Sequence, residues 1–225
     1  MVHASQKTTD AGWDVARLRT SVAVGLILTV SGAVALFVEI DQQDLWVGAG
    51  ALAATIVAAA GLGRHASLIG RRSLPRVSLI VVGTSFLVMT PVVLLLSGVV
   101  MVIPLATGAR SPVVSDIILW GGVVLAAGPV ILCAVLAGLH LGRGGRVPPP
   151  WGWLALPALV VSVVGTAIKA GIAAGAMMAW MNPWTDLYAT ITSVQAIGAV
   201  VLGAVSLLVA LRSSASFAAG ASGSG

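Results

Sequence analysis

Six apolar runs separated by short polar links constrain this chain more than any other feature: residues 21–40, 45–63, 77–105, 117–141, 154–180 and 187–211. Each approaches or exceeds the roughly 20 residues that carry an α-helix across the hydrocarbon core of a bilayer. In lipid a backbone has no water to bond, so a run of this length satisfies its own N–H and C=O groups by coiling into a helix. Only 8% of the residues are charged and 58% are hydrophobic, whereas soluble domains carry about 25% charged residues. The expected class is all-α: a polytopic bundle of six transmembrane helices in three hairpins, in the cell membrane. Residues 1–20 read as a polar leader and residues 213–225, rich in Gly, Ser and Ala, as a flexible tail. Ala33-Val34-Ala35 resembles a signal-peptidase site. The apolar run continues past it, however, so the segment is read as the first helix.

Charge sets the orientation. The formal net charge of +5 suggests nucleic acid in a soluble protein, but here the basic residues flank apolar runs and act as topology signals. An inside N-terminus places Lys7, Arg17, Arg19, Arg64, Arg71, Arg72, Arg76, Arg143, Arg146 and Arg212 on the cytoplasmic side. Arg110 alone falls outside, with Glu39, Asp41, Asp44, Asp116 and Asp186. Both termini are therefore expected in the cytoplasm. Each helix running inward opens with an acid and then an aromatic: Asp44 with Trp46, Asp116 with Trp120, Asp186 with Tyr188. Acids suit helix N-termini and aromatics suit interfaces, which accounts for this rhyme without a triplicated hairpin.

Prolines interrupt the third and fourth runs. The third is too long to cross upright, so tilt is expected, or a kink where Pro91 lacks its backbone donor. The fourth contains Gly128-Pro129, and a stiff Pro148-Pro149-Pro150 precedes the fifth.

Within the fifth run stands Lys169, the one formal charge in the interior of any of the six, Glu39 lying at the very end of the first. A lysine near mid-membrane costs about 3 kcal/mol on insertion scales. Ser162, Thr166 and Ala173 continue its helical face, while Thr192, Gln195, Ala199 and Ser206 line up on the sixth helix. Lys169 and Gln195 are equidistant from Asn182 in the connecting link, so both are expected at one depth, as are Thr166 and Gly198. These residues predict a polar seam between helices five and six, with Lys169, Gln195, Thr166, Ser162 and Thr192 as its ligand-binding candidates. An ammonium without an intramembrane carboxylate suits an anionic or zwitterionic small ligand. A lysine that merely snorkels would reach toward the acidic rim, where Glu39 is the nearest expected counter-charge.

Other features carry plainer readings. His65 and His140 sit at the ends of helices two and four, without the carboxylates a metal centre would recruit. The single cysteine, Cys133, excludes an intramolecular disulfide and a Cys-rich metal site. Gly171 with Gly175, and the stripe Gly50, Ala54, Ala58, permit close helix contact in lipid. Walker, His-Glu-x-x-His and paired intramembrane acid motifs are missing. No enzyme, cofactor or nucleic-acid partner is expected.

The first functional reading is a transporter or permease-type transmembrane subunit, with the seam around Lys169 as its pathway. A polar leader, six helices and a basic loop at 64–76 are similar in layout to the permeases of drug- or peptide-exporting ABC systems. That likeness is of architecture alone. It implies a cytosolic or membrane partner subunit at the 64–76 loop. The second reading is a non-transporting membrane partner of accessory, assembly or immunity type, which the scarcity of polar groups in the runs favours.

Overall fold

A computed structural model describes residues 2–62, 67–68, 73–107, 112–143, 151–178 and 185–222. They form six helices: α1 (Val2–Phe37), α2 (Ile40–Ala60), α3 (Ser73–Thr107), α4 (Pro112–Arg143), α5 (Trp151–Met178) and α6 (Thr185–Ser222). There are no strands among the described residues, and all six helices are long and apolar enough to cross a membrane, as a multi-pass membrane protein requires.

The helices outrun the apolar stretches at several ends. α1 takes in the leader from Val2, and α6 continues through most of the tail to Ser222, where Ala and Ser offer no proline to stop it. α3 remains helical through Pro91, and α4 and α5 carry Pro129 and Pro157 inside them. α2 starts after Glu39, whose backbone is extended, and ends at Gly61, whose φ of 77° suits glycine. Threonines within the helices return their hydroxyl protons to carbonyls one turn back, as Thr29 does to Gly25 and Thr166 to Ser162. This keeps their polarity off the apolar surroundings.

Packing divides the bundle into two groups. α1 lies against both α2 and α6, which also touch each other; α3, α4 and α5 likewise pack pairwise. The groups join broadly along α2 and α3, but α5 meets α6 only narrowly. The α1–α6 contact is the most intimate, and glycine makes it so. A Cβ at Gly32 would fall 2.6 Å from the Ala196 carbonyl oxygen, and one at Gly25 would fall 2.9 Å from that of Gly203. Small residues that admit a neighbouring backbone are the usual means of holding helices together where no hydrophobic effect drives them. The expected stripes serve other contacts: Gly171 faces Trp120 of α4, and Gly50 faces Ser31 of α1.

Cores sit inside each group and at the α2–α3 join. Met89, Val93, Leu119, Val123, Ala167, Ala170 and Ala174 bind α3, α4 and α5. Ala35, Val47 and Ala196 bind α1, α2 and α6. Near the arginine-rich end Leu62 N–H donates to Thr20 Oγ1 at 3.0 Å, tying the close of α2 to α1.

Candidate functional site

Packing one face of α5 into the second group determines what its other face presents. Ala167, Ala170 and Ala174 are committed to α3 and α4, which turns Thr166 and Lys169 toward α6 and α2. Both are buried, as is Thr192 on α6. The backbones of α2 and α5 do not approach each other. The long side chain of Lys169 crosses that gap and places Nζ 2.5 Å from Asp44 Oδ1 on α2.

Asp44 is a hub. Its Oδ1 takes Lys169 and lies 3.2 Å from Thr192 Oγ1, while Oδ2 accepts the Tyr188 hydroxyl. Thr192 Oγ1 is also 3.0 Å from the Tyr188 carbonyl oxygen, and its single proton serves one acceptor at a time. The Lys169 ammonium stands 5.7 Å from the Tyr188 ring centroid, within cation–π range. Three helices thus meet on one carboxylate, and both charges of the pair are compensated. The counter-charge of Lys169 is Asp44 and not Glu39, which is exposed where it caps α2.

One helical turn toward the arginine-rich end lies a second bridge. Gln195 Nε2 donates to the Ser162 carbonyl at 3.0 Å and to Thr166 Oγ1 at 3.1 Å. Thr166 in turn donates to that same carbonyl, so the amide is oriented by two acceptors. Its oxygen, Oε1, is buried without a hydrogen-bond partner. Symmetry about Asn182 predicts Gln195 level with Lys169, but Gln195 meets Ser162 and Thr166 instead, a turn away. Lys169 shares its level with Tyr188 and Thr192, through Asp44. Gly198 has nothing within 4 Å of its Cβ position, so it does not face Thr166. Mirror symmetry about a link assumes that two helices lie alongside each other throughout, and α5 and α6 do not.

Where they part, a cavity of about 260 Å³ opens. It runs from Gln195 and Ser162 to Leu141, Gly152 and Val209 at the arginine-rich end, with Val82 and Phe86 of α3 on its wall. Among the described residues its lining holds no Asp, Glu, Lys, Arg or His; the polar members are Ser21, Thr55, Ser162, Gln195 and Ser206. Ala199 also lines it, and so do Ala54 and Ala58 of the α2 stripe.

Sequence spacing found Lys169, Thr166, Ser162, Gln195 and Thr192, and the structure brings these together across α5 and α6. Spacing missed Asp44 and Tyr188, which read as an acid at a helix N-terminus and an aromatic at the interface. The signal for Asp44 was its place: it falls within the 42–60 stretch of α2 that is apolar enough to span. His65 lies outside the described residues, and His140 is half-buried in the last turn of α4. Compared with protein families, curated proteins and solved structures, the chain matches none.

Proposed function

We propose that this chain is a transporter or permease-type transmembrane subunit of the cell membrane, with both termini in the cytoplasm, whose two three-helix groups part alternately at either end. The observation that carries this reading is the asymmetry of the contact between the groups. Lys169, Asp44, Tyr188 and Thr192 latch it at the acidic end. Beyond Gln195 the same contact opens into the cavity. The arginine bias assigns the open end to the cytoplasm, which makes the described state inward-facing. An ion pair suits a latch because each charge is costly to leave alone in a low-dielectric setting, so release requires a compensating event. An anionic or zwitterionic ligand would reach Lys169 by displacing Asp44, and that exchange would be such an event. Helix separation of this kind needs the join between groups to be narrow on one side, as α5–α6 is. The basic 64–76 loop offers a cytosolic or membrane partner subunit a place to dock.

Side-specific thiol labelling tests this reading. In a Cys133→Ala background, Ser162→Cys probes the cavity and Ala173→Cys probes the far side of Lys169. Impermeant reagents are expected to reach Ser162→Cys from the cytoplasm while the latch is intact. Asp44→Asn with Lys169→Met should lower that reactivity and expose Ala173→Cys from outside. Unchanged labelling at both positions would overturn alternating access and leave the accessory-subunit reading in its place.

A further inference from the structure

The transporter reading leaves the ligand open between an anion and a zwitterion, and the inference here rests on that reading. We infer that the site takes a zwitterion with an apolar body, its two charges as close together as those of an α-amino acid. Its ammonium meets Asp44, its anionic group meets Lys169, and its body enters the cavity between α5 and α6. Charge balance at the latch and the position of the cavity beside it each narrow the class.

Lys169 and Asp44 compensate each other at 2.5 Å, and Lys169 is buried. A ligand anion alone would set two negative groups against one ammonium. A ligand cation alone would set two positive groups against one carboxylate. Either leaves a charge uncompensated where water is scarce, which is strongly destabilising. A zwitterion brings one charge of each sign, so the pair opens and every charge keeps a partner. Asp44 is prepared for that exchange: Tyr188 donates to its Oδ2, and Thr192 Oγ1 lies 3.2 Å from its Oδ1. Both donors sit on α6, so the carboxylate stays held there when Lys169 leaves. The Tyr188 ring, whose centroid is 5.7 Å from Lys169 Nζ, offers its face to the incoming ammonium in turn. Lys169 stands on a flexible four-carbon stem and follows the ligand's anionic group without movement of its own backbone.

The cavity sets the character of the body. Thr192 and Gln195 are three residues apart on α6, about 4.5 Å along the axis, and Gln195 lines the near end of the cavity. A body one helical turn long therefore passes from the ion pair into about 260 Å³ of space walled by Leu28, Val47, Val82, Phe86 and Leu159. A cavity of about 150 Å³ takes up benzene, so one aromatic or branched aliphatic group fits. Between pair and cavity stands the bridge from Gln195 to Ser162 and Thr166. It ties α6 to α5, and the separation of these helices that releases the latch parts the bridge as well.

Binding of L-phenylalanine, 3-phenylpropanoate and 2-phenylethylamine to the full chain in lipid nanodiscs tests the class, read with radiolabelled probes. The three share one apolar body, and the second and third each lack one charge. Saturable phenylalanine binding is expected, with each truncated probe at least about tenfold weaker. Lys169→Met should weaken phenylalanine by a similar factor and strengthen phenylethylamine above its wild-type affinity, because Asp44 then lacks its internal cation. Asp44→Asn should strengthen 3-phenylpropanoate in the same way. Gains for opposite charges in the two variants do not arise from misfolding, and each variant reports if the other fails to fold. Ala158→Phe places a ring in the cavity and should weaken phenylalanine at least about tenfold. Absent saturation with phenylalanine overturns the inference. Equal affinity for all three probes overturns it too, by assigning binding to the body alone. So does 3-phenylpropanoate binding that matches phenylalanine and tightens as pH falls, which makes a proton the anion's companion. Indifference to Ala158→Phe overturns the place of the body. The two readings fail separately. Binding of this pattern without the reciprocal thiol labelling described above sinks transport alone, whereas reciprocal labelling without phenylalanine binding sinks this ligand class alone.

Discussion

Lys169 and Asp44 are 125 positions apart in the chain and 2.5 Å apart in the structure. Neither lies on a helix whose backbone touches the other's. The pair spans the two helix groups from side chain to side chain, so its loss separates groups and not merely neighbours.

Removing one partner should cost more than removing both. Asp44→Asn leaves the Lys169 ammonium buried with only neutral neighbours, and a loss of about 3 kcal/mol is expected. Lys169→Met leaves a carboxylate still bonded by Tyr188 and Thr192 and partly exposed, so its cost should be smaller. The double variant should recover most of the loss. A thermal unfolding cycle in one detergent checks the order, and strictly additive losses would mean that the pair contributes nothing through its contact.

The register of α5 against α6 is open to cross-linking. A Cβ at Gly165 would lie 3.3 Å from Ile191 Cγ2. Gly165→Cys with Ile191→Cys, in a Cys133→Ala background, should form a disulfide readily on mild oxidation. Thr166→Cys with Gly198→Cys should not, since Gly198 faces open space. The reverse pattern on non-reducing gels would restore the symmetric seam and remove the opening between these helices.

Glycines at the α1–α6 contact should be far less replaceable than those facing outward. Gly32→Leu drives a side chain into the Ala196 carbonyl, 2.6 Å from the Cβ position, and should lower stability by about 3 kcal/mol or prevent folding. Gly128→Leu and Gly198→Leu meet nothing within 4 Å and should stay within about 0.5 kcal/mol. Size-exclusion monodispersity after heating would rank the three, and equal tolerance at all positions would contradict the close α1–α6 approach.

Six helices and the special standing of Lys169 were legible in the sequence because both follow from local rules. A long apolar run has one way to satisfy its backbone in lipid, and a lone charge inside such a run is conspicuous. Helical periodicity likewise placed Ser162, Thr166 and Lys169 on one face, and Thr192 with Gln195 on another. The partner of Lys169 was not legible, since no periodicity relates α5 to α2 and Asp44 sits near a helix end where acids are commonplace. Nor was the narrow meeting of α5 with α6. Adjacency in sequence joins their ends, but α6 lies along α1 because Gly25, Gly32 and Gly203 let those two backbones approach where bulkier residues keep others apart. Chain chemistry alone determined the helices and their burden of charge. Tertiary packing decided which carboxylate meets the lysine and where the bundle stays open, because both depend on how closely separate helix surfaces can come.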